Sequence, residues 1–339
     1  FFPILGVQGQ KMAAAEVPGP DLEKMSARIS DTAKLSYKIY IAMTVLELCL
    51  LLPSGLTPFE AAINTMSTIS TAGLYNLNND VVINFTPYVK AVFTFFSIAG
   101  SVNFMMYFFI SVGKWKRVVK NVELRTYLGL LTGGSVIMAI VLTASGTYHS
   151  FFSALGDSFV QAVAFGSTSG FEIADINVWP TACKIILLVL LLIGGCGNST
   201  SGSIKVIRFI VYFKLIIRGI YKRIHPHAIR PIMIQNKPVS AESASSITVF
   251  LMLFFSIYIF SSLVLSVENQ DMETTLAAAL GAITNNGTGF GNIAGGNFGI
   301  FSAFGKLFSA ILMLAGRLEL YAIILLFSRS FWNSDRARS

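Results

Sequence analysis

Long uncharged apolar runs alternate with shorter apolar segments along most of this chain. A helix that crosses a bilayer needs about 20 mostly apolar residues. Six runs approach that length: 35–52, 91–113, 127–147, 185–204, 247–266 and 307–327. Three segments between them are too short to cross and are typical of re-entrant or interfacial helices: 58–70, 151–167 and 272–286. The order is span, short helix, glycine-containing turn and span, three times over, which predicts an internal repeat.

The repeat divides the chain into four regions. Residues 1–34 open on Phe-Phe-Pro-Ile-Leu-Gly without an initiator Met, so we expect them to be the tail of an earlier, truncated unit and a linker. The regions 35–125, 126–240 and 241–339 each hold one predicted span–turn–span unit. Every unit begins and ends on the same side of the membrane, so the predicted repeats are parallel.

The composition supports a membrane protein. The 339 residues are 54% hydrophobic and only 12% charged, whereas a soluble domain has about 25% charged residues. A soluble enzyme and a disordered chain are therefore both excluded. The three cysteines and three histidines form no disulfide or metal-binding pattern, and no catalytic cluster lies near the spans, so we predict that the protein is not an enzyme.

The net charge is +8, and the positions of the basic residues indicate its meaning. They occupy the two linkers and the C-terminus: Lys114, Lys116, Arg117, Lys120, Arg125, Lys214, Arg218, Lys222, Arg223, Arg230, Lys237, Arg329, Arg336 and Arg338. Acidic residues surround the short helices instead: Glu60, Asp80, Asp157, Glu172, Asp175, Glu268, Asp271 and Glu273. The positive-inside rule makes the linkers cytoplasmic, so the turns enter from outside. No nucleic-acid motif accompanies the basic residues, and we expect no nucleic-acid partner.

The turn after each short helix has the form polar, small, small, Gly, large apolar. The three turns read Ser70-Thr71-Ala72-Gly73-Leu74, Ser167-Thr168-Ser169-Gly170-Phe171 and Asn286-Gly287-Thr288-Gly289-Phe290. Non-helical backbone at membrane depth must line water or be buried in protein, and a dehydrated cation is a suitable partner for its carbonyl groups. Glycine permits φ > 0, and the helix C-terminus adds partial negative charge. Three such turns favour a cation pore over ordinary loops or helix-packing sites.

A second glycine-rich stretch interrupts the run 185–204. It comprises Gly194, Gly195, Cys196, Gly197, Asn198, Ser199, Thr200, Ser201, Gly202 and Ser203. Each glycine costs a helix about 1 kcal/mol relative to alanine, so we predict an unwound middle in this span, with a tight helix-packing patch as the alternative. A phosphate-binding loop is excluded, because Lys205 does not directly follow the last glycine.

Two cations in or beside the predicted spans need an explanation: Lys205 directly follows the run 185–204, and Arg317 lies inside the run 307–327. Lys205 either faces the pore or extends to the membrane interface. Arg317 either pairs with Glu319, hydrogen-bonds carbonyl groups of the unwound stretch, repels cations in the pore, or ties helices together. A mid-membrane charge costs about 2.5 to 3.5 kcal/mol, so each needs a partner or a cavity.

With these features the sequence resembles the Trk/Ktr/HKT superfamily of potassium transporters, and most of all its TrkH-type bacterial subunits. Further similarity lies in the segments 7–11 and 15–20, in 194–208, and in Gly316-Arg317-Leu318-Glu319. The resemblance implies an all-α membrane protein in which parallel membrane-loop-membrane repeats place re-entrant pore helices around a pseudo-fourfold axis. Three of the four repeats are present here, and the family's first repeat is expected before Phe1, so the chain as written is not expected to form a normal selective pore.

The resemblance also implies function. We expect potassium uptake across the bacterial inner membrane through a carbonyl-lined filter for K⁺, with 194–203 as a movable gate beneath it. A cation-coupled secondary transporter (K⁺/H⁺ or K⁺/Na⁺ symport) is the alternative, with Glu47 as its one plausible proton site. The implied partners are a second copy of the chain and a cytosolic nucleotide-binding regulatory subunit. The linker 214–237 would dock that subunit, although its segment 221–227 could lie on lipid headgroups instead.

Overall fold

The chain folds as a bundle of helices, which a computed structural model describes over residues 29–73, 86–226, 231–235, 237–318 and 320. The second repeat contains α1 (Ile29–Leu51), α2 (Pro58–Ser70), α3 (Pro87–Ser101) and α4 (Phe104–Ser111). The short helix α5 (Trp115–Val119) lies in the linker that follows. The expected segments 7–11 and 15–20, Leu74, Glu319 and the C-terminal arginines lie outside the described residues.

The third and fourth repeats have the same order of elements. The third consists of α6 (Val122–Ala144), α7 (Phe151–Gly166), α8 (Thr181–Ile193) and α9 (Val206–Ile224). A two-stranded antiparallel hairpin, β1 (Met233–Ile234) and β2 (Lys237–Pro238), precedes the fourth repeat. That repeat consists of α10 (Ala241–Leu265), α11 (Met272–Ile283) and α12 (Ala303–Arg317). Apart from the hairpin, the described elements agree with the all-α prediction.

Local sequence signals fix where the three short helices begin. Thr57 and Glu60 form a capping box at α2, in which the Thr57 amide donates to Glu60 Oε2 at 2.9 Å. Asp271 accepts from the Thr274 amide at 3.1 Å and so caps α11. Such caps satisfy amide groups that have no partner inside the helix. Of the three short helices, α7 is the one that has no side-chain cap hydrogen bond at its first turn.

Three described helices are long and apolar enough to cross a membrane: Lys34–Ser54, Val122–Ala144 and Ala241–Glu268. Between 17% and 33% of the most apolar stretch of each is buried in the protein. Their outward faces carry large apolar side chains such as Ile140, Met252 and Phe260, all more than half exposed. Contiguous exposed apolar surface of this kind is typical of helices that lipid covers.

Two predicted spans are broken in the structure, the run 185–204 as the sequence predicted and the run 91–113 against the expectation. The run 91–113 is two helices, α3 and α4, bent by 94° at their junction. Val102 is extended there, and Asn103 caps α4 by accepting from the Met105 amide at 2.9 Å. The run 185–204 stays helical only to Ile193, and the chain re-enters a helix at Val206.

Aromatic contacts join neighbouring repeats beside the turns. The ring of Phe171 lies 6.1 Å from that of Phe93 in the second repeat, and the ring of Phe290 stacks 5.5 Å from that of Phe165 in the third. All four side chains are buried. The large apolar residue that follows two of the turns therefore wedges each turn against the preceding repeat.

Candidate functional site

The three short helices end in turns of the same backbone geometry. Residues in the left-handed region occur in pairs, two positions apart: Thr71 and Gly73, Thr168 and Gly170, Asn285 and Gly287, with φ between 49° and 70°. The hydrogen bonds match this register, since the amides of Ala72, Ser169 and Asn286 donate to Ser67, Ala164 and Gly281. We name the three segments 70–73, 167–170 and 284–287 the converging turns.

This geometry shifts the register expected for the fourth repeat. The sequence pattern aligned Gly289 with Gly73 and Gly170, whereas the structure aligns Gly287 with them. Gly289 lies behind the turn, where an added Cβ would stand 2.9 Å from the Ala277 Cβ. The sequence pattern favoured Gly289, because the large apolar Phe290 directly follows it.

The converging turns contact one another although they come from three different repeats. A Cβ added to Gly170 would overlap the Asn286 carbonyl oxygen and stand 3.0 Å from the Gly73 Cα. A Cβ added to Gly73 would meet the same oxygen and stand 2.9 Å from the Gly287 nitrogen. Glycine is therefore required at these places for two reasons, the positive φ and the close approach of backbones.

The turns are buried and chemically polar. Thr71, Ser167, Thr168, Ser169, Thr284 and Asn286 have no exposed surface. Hydroxyl groups of the third turn bond each other, since Ser167 Oγ and Ser169 Oγ are 2.7 Å apart. Three helix C-termini, with their partial negative charge, end at the same place. This combination attracts a cation.

The chain between α8 and α9 is unwound, and we name residues 194–205 the unwound loop. Gly194, Asn198, Ser203 and Lys205 have positive φ there, which agrees with the predicted break in this span. A Cβ added to Gly202 would overlap the Thr284 carbonyl oxygen, so the loop packs directly against the converging turn of the fourth repeat.

The unwound loop is hydrogen-bonded to the other two turns as well. The Gly202 amide donates to Thr168 Oγ1 at 2.8 Å. The Thr71 hydroxyl lies 2.8 Å from the Thr200 carbonyl oxygen, and Thr200 Oγ1 lies 2.8 Å from the Ile69 carbonyl oxygen. The loop thus contacts a residue of all three converging turns.

Lys205 and Arg317 both contact this loop. Arg317 Nη1 donates to the Thr200 carbonyl oxygen at 2.7 Å, which agrees with one of the roles expected for it; Glu319 is outside the described residues. Lys205 is 4% exposed, and its ammonium group donates to the Ser201 carbonyl oxygen. The alternative in which Lys205 extends to the membrane interface is therefore wrong, because the side chain turns back into the loop.

The sequence did not predict the contacts of three polar residues near the site, the buried Glu123 and the half-buried Glu172 and Asn285. Glu123 accepts a hydrogen bond from the Gly197 amide at 2.6 Å. Glu172 accepts one from the Thr288 hydroxyl, and Asn285 Nδ2 donates to the Met313 carbonyl oxygen at 2.9 Å. Each contact joins residues that are far apart in the sequence, so no local sequence pattern predicts it. Glu47, which the sequence did single out, is fully buried.

Comparison with known proteins agrees with this architecture. A family model described as TrkH, cation transport protein, matches residues 1–335. The Trk system potassium uptake protein TrkH of Salmonella typhimurium is 30% identical over 334 residues, which cover 98% of this chain and 69% of that protein. The Trk system potassium uptake protein TrkG of Escherichia coli is 30% identical over 339 residues and covers 98% and 68% respectively.

A solved structure has the same fold. The crystal structure of the potassium transporter TrkH from Vibrio parahaemolyticus matches with a TM-score of 0.81 at 23% identity, over 93% of this chain and 66% of that one. The chain therefore spans about two thirds of the length of these relatives.

These matches test the predicted membrane location and the predicted class of protein. Together with the apolar helices they confirm a multi-pass protein of the bacterial inner membrane, related to transporters and not to enzymes. The matched family model covers every repeat described above. The chain belongs to the TrkH family of cation transport proteins.

Proposed function

We propose that the protein takes up potassium, and that K⁺ passes the converging turns while the unwound loop gates its path. The observation that carries this proposal is the meeting of Gly73, Gly170 and Gly287 at one place. Main-chain oxygens brought together in this way replace the hydration shell of a cation. The relatives are potassium uptake proteins, which supports K⁺ as the transported ion.

The proposed filter comprises residues 70–73, 167–170 and 284–289. Its hydroxyl groups bond within the turns, to the short helices, to the loop or, for Thr288, to Glu172, which leaves main-chain carbonyl groups as the natural ion ligands. No chemical step is needed, because the membrane potential supplies about 2.3 kcal/mol per charge per 100 mV. In this account the four regions 1–34, 35–125, 126–240 and 241–339 contribute to one pore.

The unwound loop suits a gate because it lies against the filter and is held there by individual hydrogen bonds instead of by a regular helix. Irregular backbone at membrane depth is tolerated where it lines a cavity or is buried in protein. Arg317 holds the loop at Thr200 with a charge-assisted hydrogen bond, and such bonds are stronger than neutral ones. Release of this contact would free the loop to move out of the ion path.

The proposed partners follow from family membership. They are a second copy of the chain, a cytosolic nucleotide-binding regulatory subunit and membrane lipids. The last turn of α9 carries Lys222 and Arg223, which gives the linker 214–237 a basic surface for a partner or for lipid headgroups.

Selective flux tests the proposed filter. In the full-length gene product reconstituted in liposomes, we expect Gly170→Ser and Gly287→Ser each to lower K⁺ over Na⁺ selectivity about tenfold or more, because a side chain cannot fit between the touching backbones. Gly156→Ser is the matched control, since an added Cβ there meets nothing within 4 Å. Unchanged selectivity in both filter variants would overturn the assignment.

The alternative function, cation-coupled symport, is favoured by one observation. Glu47 is fully buried, and neither carboxylate oxygen has a hydrogen-bond partner among the described residues, with Thr68 as its polar neighbour. A buried carboxyl group of this kind is able to carry a proton. If Glu47 couples protons, a pH gradient will shift the reversal potential of the K⁺ current, and Glu47→Gln will abolish that shift. A reversal potential set by K⁺ alone supports the uncoupled pore.

A further inference from the structure

A buried carboxylate contacts the unwound loop at Gly197, three residues before the Thr200 carbonyl group that Arg317 contacts. We propose that Glu123 is a gate-positioning residue, which fixes the cytoplasmic end of the unwound loop through the Gly197 amide and connects it to the first cytoplasmic linker, residues 112–121. The inference rests on the proposed function, in which this loop is the gate.

The contact is short, buried and built by the local sequence. Glu123 Oε1 accepts from the Gly197 nitrogen at 2.6 Å, and the residue is 6% exposed. Asn121 caps α6 by accepting from the Leu124 amide at 2.9 Å, so the first turn that carries Glu123 has a fixed direction. Lys205, at the other end of the loop, is its charged neighbour.

The same end of the loop is bonded to the bend between α3 and α4. The Cys196 amide donates to the Ser101 carbonyl oxygen at 2.9 Å, and the Phe104 amide donates to the Asn198 carbonyl oxygen at 3.1 Å. Residues 196–198 are therefore held by both ends of one continuous segment, 101–123. This segment is the bend, α4, α5 and the first turn of α6.

The segment has an exposed surface where a force could act. In α5, Trp115 is 58% exposed and Val119 is 68% exposed, and Lys116 and Arg117 add positive charge. Movement of α5 would be transmitted to the unwound loop through Glu123 on one side and through the bend between α3 and α4 on the other. The part of the unwound loop that Thr71, Thr168 and Arg317 contact would then no longer be held in place through residues 196–198.

Cysteine modification reports the exposure and the ionisation of a thiol without measuring transport. Glu123→Gln separates the two, because it removes the charge near Cys196 but keeps an acceptor for the Gly197 amide. Cys196 lies in the loop and Cys183 lies in α8, and both are buried. In the full-length gene product carrying Cys49→Ala, we expect Glu123→Ala to raise the N-ethylmaleimide modification rate of Cys196 about tenfold, since a buried amide loses its acceptor. The rate at Cys183 should not change. Glu123→Gln keeps an acceptor oxygen and should restore most of the protection.

Glu242→Ala is the matched control, because Glu242 also lies in the first turn of a membrane helix but is exposed. An unchanged Cys196 rate in Glu123→Ala, or an equal rise at Cys183, overturns the inference. A faster Cys196 rate with unaltered K⁺ flux supports the role of Glu123 in holding the loop and instead contradicts the role of the loop as gate.

Discussion

Glu172 shows how one side chain joins two repeats at the outer end of the site. It follows the converging turn of the third repeat, outside the spanning helices, and its carboxylate accepts a hydrogen bond from Thr288 in the fourth. Burial raises the pKa of Glu172 from 4.5 to about 7, and the nearby Asp175 adds to the rise. The pKa is higher than in the unfolded chain, so this group makes the folded state less stable as pH rises from about 4.5 to about 7.

The charge on Glu172 should therefore alter ion entry near neutral pH. Above about 7 the carboxylate is ionised, and a negative charge at the mouth of a pore raises the local cation concentration. We expect a larger inward K⁺ current at pH 8 than at pH 6, and we expect Glu172→Gln to remove most of this difference. The same pH dependence in wild type and variant would show that Glu172 is not the titrating group.

Among the elements, the helices followed from the sequence and their mutual contacts did not. The apolar run lengths predicted α2 over the residues at which it is observed, and the glycines of 194–203 predicted the break after α8. The 94° bend between α3 and α4 was missed, because Gly100, Ser101 and Asn103 are too few to outweigh an uninterrupted apolar run. Bends that depend on distant partners, here Asn198 and Cys196, have no local pattern.

The register of the fourth turn is a similar case. The positive φ values of Asn285 and Gly287, and the hydrogen bond from the Asn286 amide to Gly281, align Gly287 with Gly73 and Gly170. Counting back from the large apolar residue favoured Gly289. Counting forward from the end of the short helix gives Gly287, and that rule could have been applied if the end of α11 had been known.

Arg317, at the end of α12, should keep the unwound loop in the path of the ion. Loss of a hydrogen bond to a charged group costs about 1.5 to 3 kcal/mol, so we expect Arg317→Gln to raise K⁺ flux about tenfold or more. Lys306→Gln, on the exposed first turn of the same helix, is the control and should leave flux unchanged. A reduced flux in Arg317→Gln would mean that the guanidinium group assists conduction.

The N-terminal cap of α11 gives a second prediction at the scale of a single helix. Hydrogen bonds from Thr274 hold the pKa of Asp271 below its usual range, so the cap of α11 stabilises the fold above the ordinary aspartate pKa and is lost as pH falls through the lowered value. We expect Asp271→Ala to cost about 1 kcal/mol, measured as a lower Tm in detergent at pH 7. An equal Tm would show that α11 does not depend on this cap.

For the whole molecule, the central expectation is that three parallel repeats bring their turns to one place from the same side. The interfaces between repeats include the Phe93–Phe171 and Phe165–Phe290 ring contacts. The ion pair of Lys184 with Glu273 joins α8 to α11 at 2.7 Å, but an exposed pair of this kind adds little stability. Apolar packing around the turns is therefore what fixes their meeting point.

Parallel repeats predict the side on which each connection lies. In a background without native cysteines, a membrane-impermeant thiol reagent applied outside should label Asp175→Cys and should not label Lys116→Cys or Lys222→Cys. All three positions are exposed. Outside labelling of either linker position would contradict the positive-inside assignment and the parallel order of the repeats.

The most direct measurement is the position of a bound ion in the full-length gene product. A crystal grown with Rb⁺, an anomalous scatterer that substitutes for K⁺, would locate that ion. We expect an anomalous peak between the main-chain carbonyl oxygens of the converging turns, beside Gly73, Gly170 and Gly287. A peak that lies elsewhere along the pore, with none at these glycines, would contradict the account.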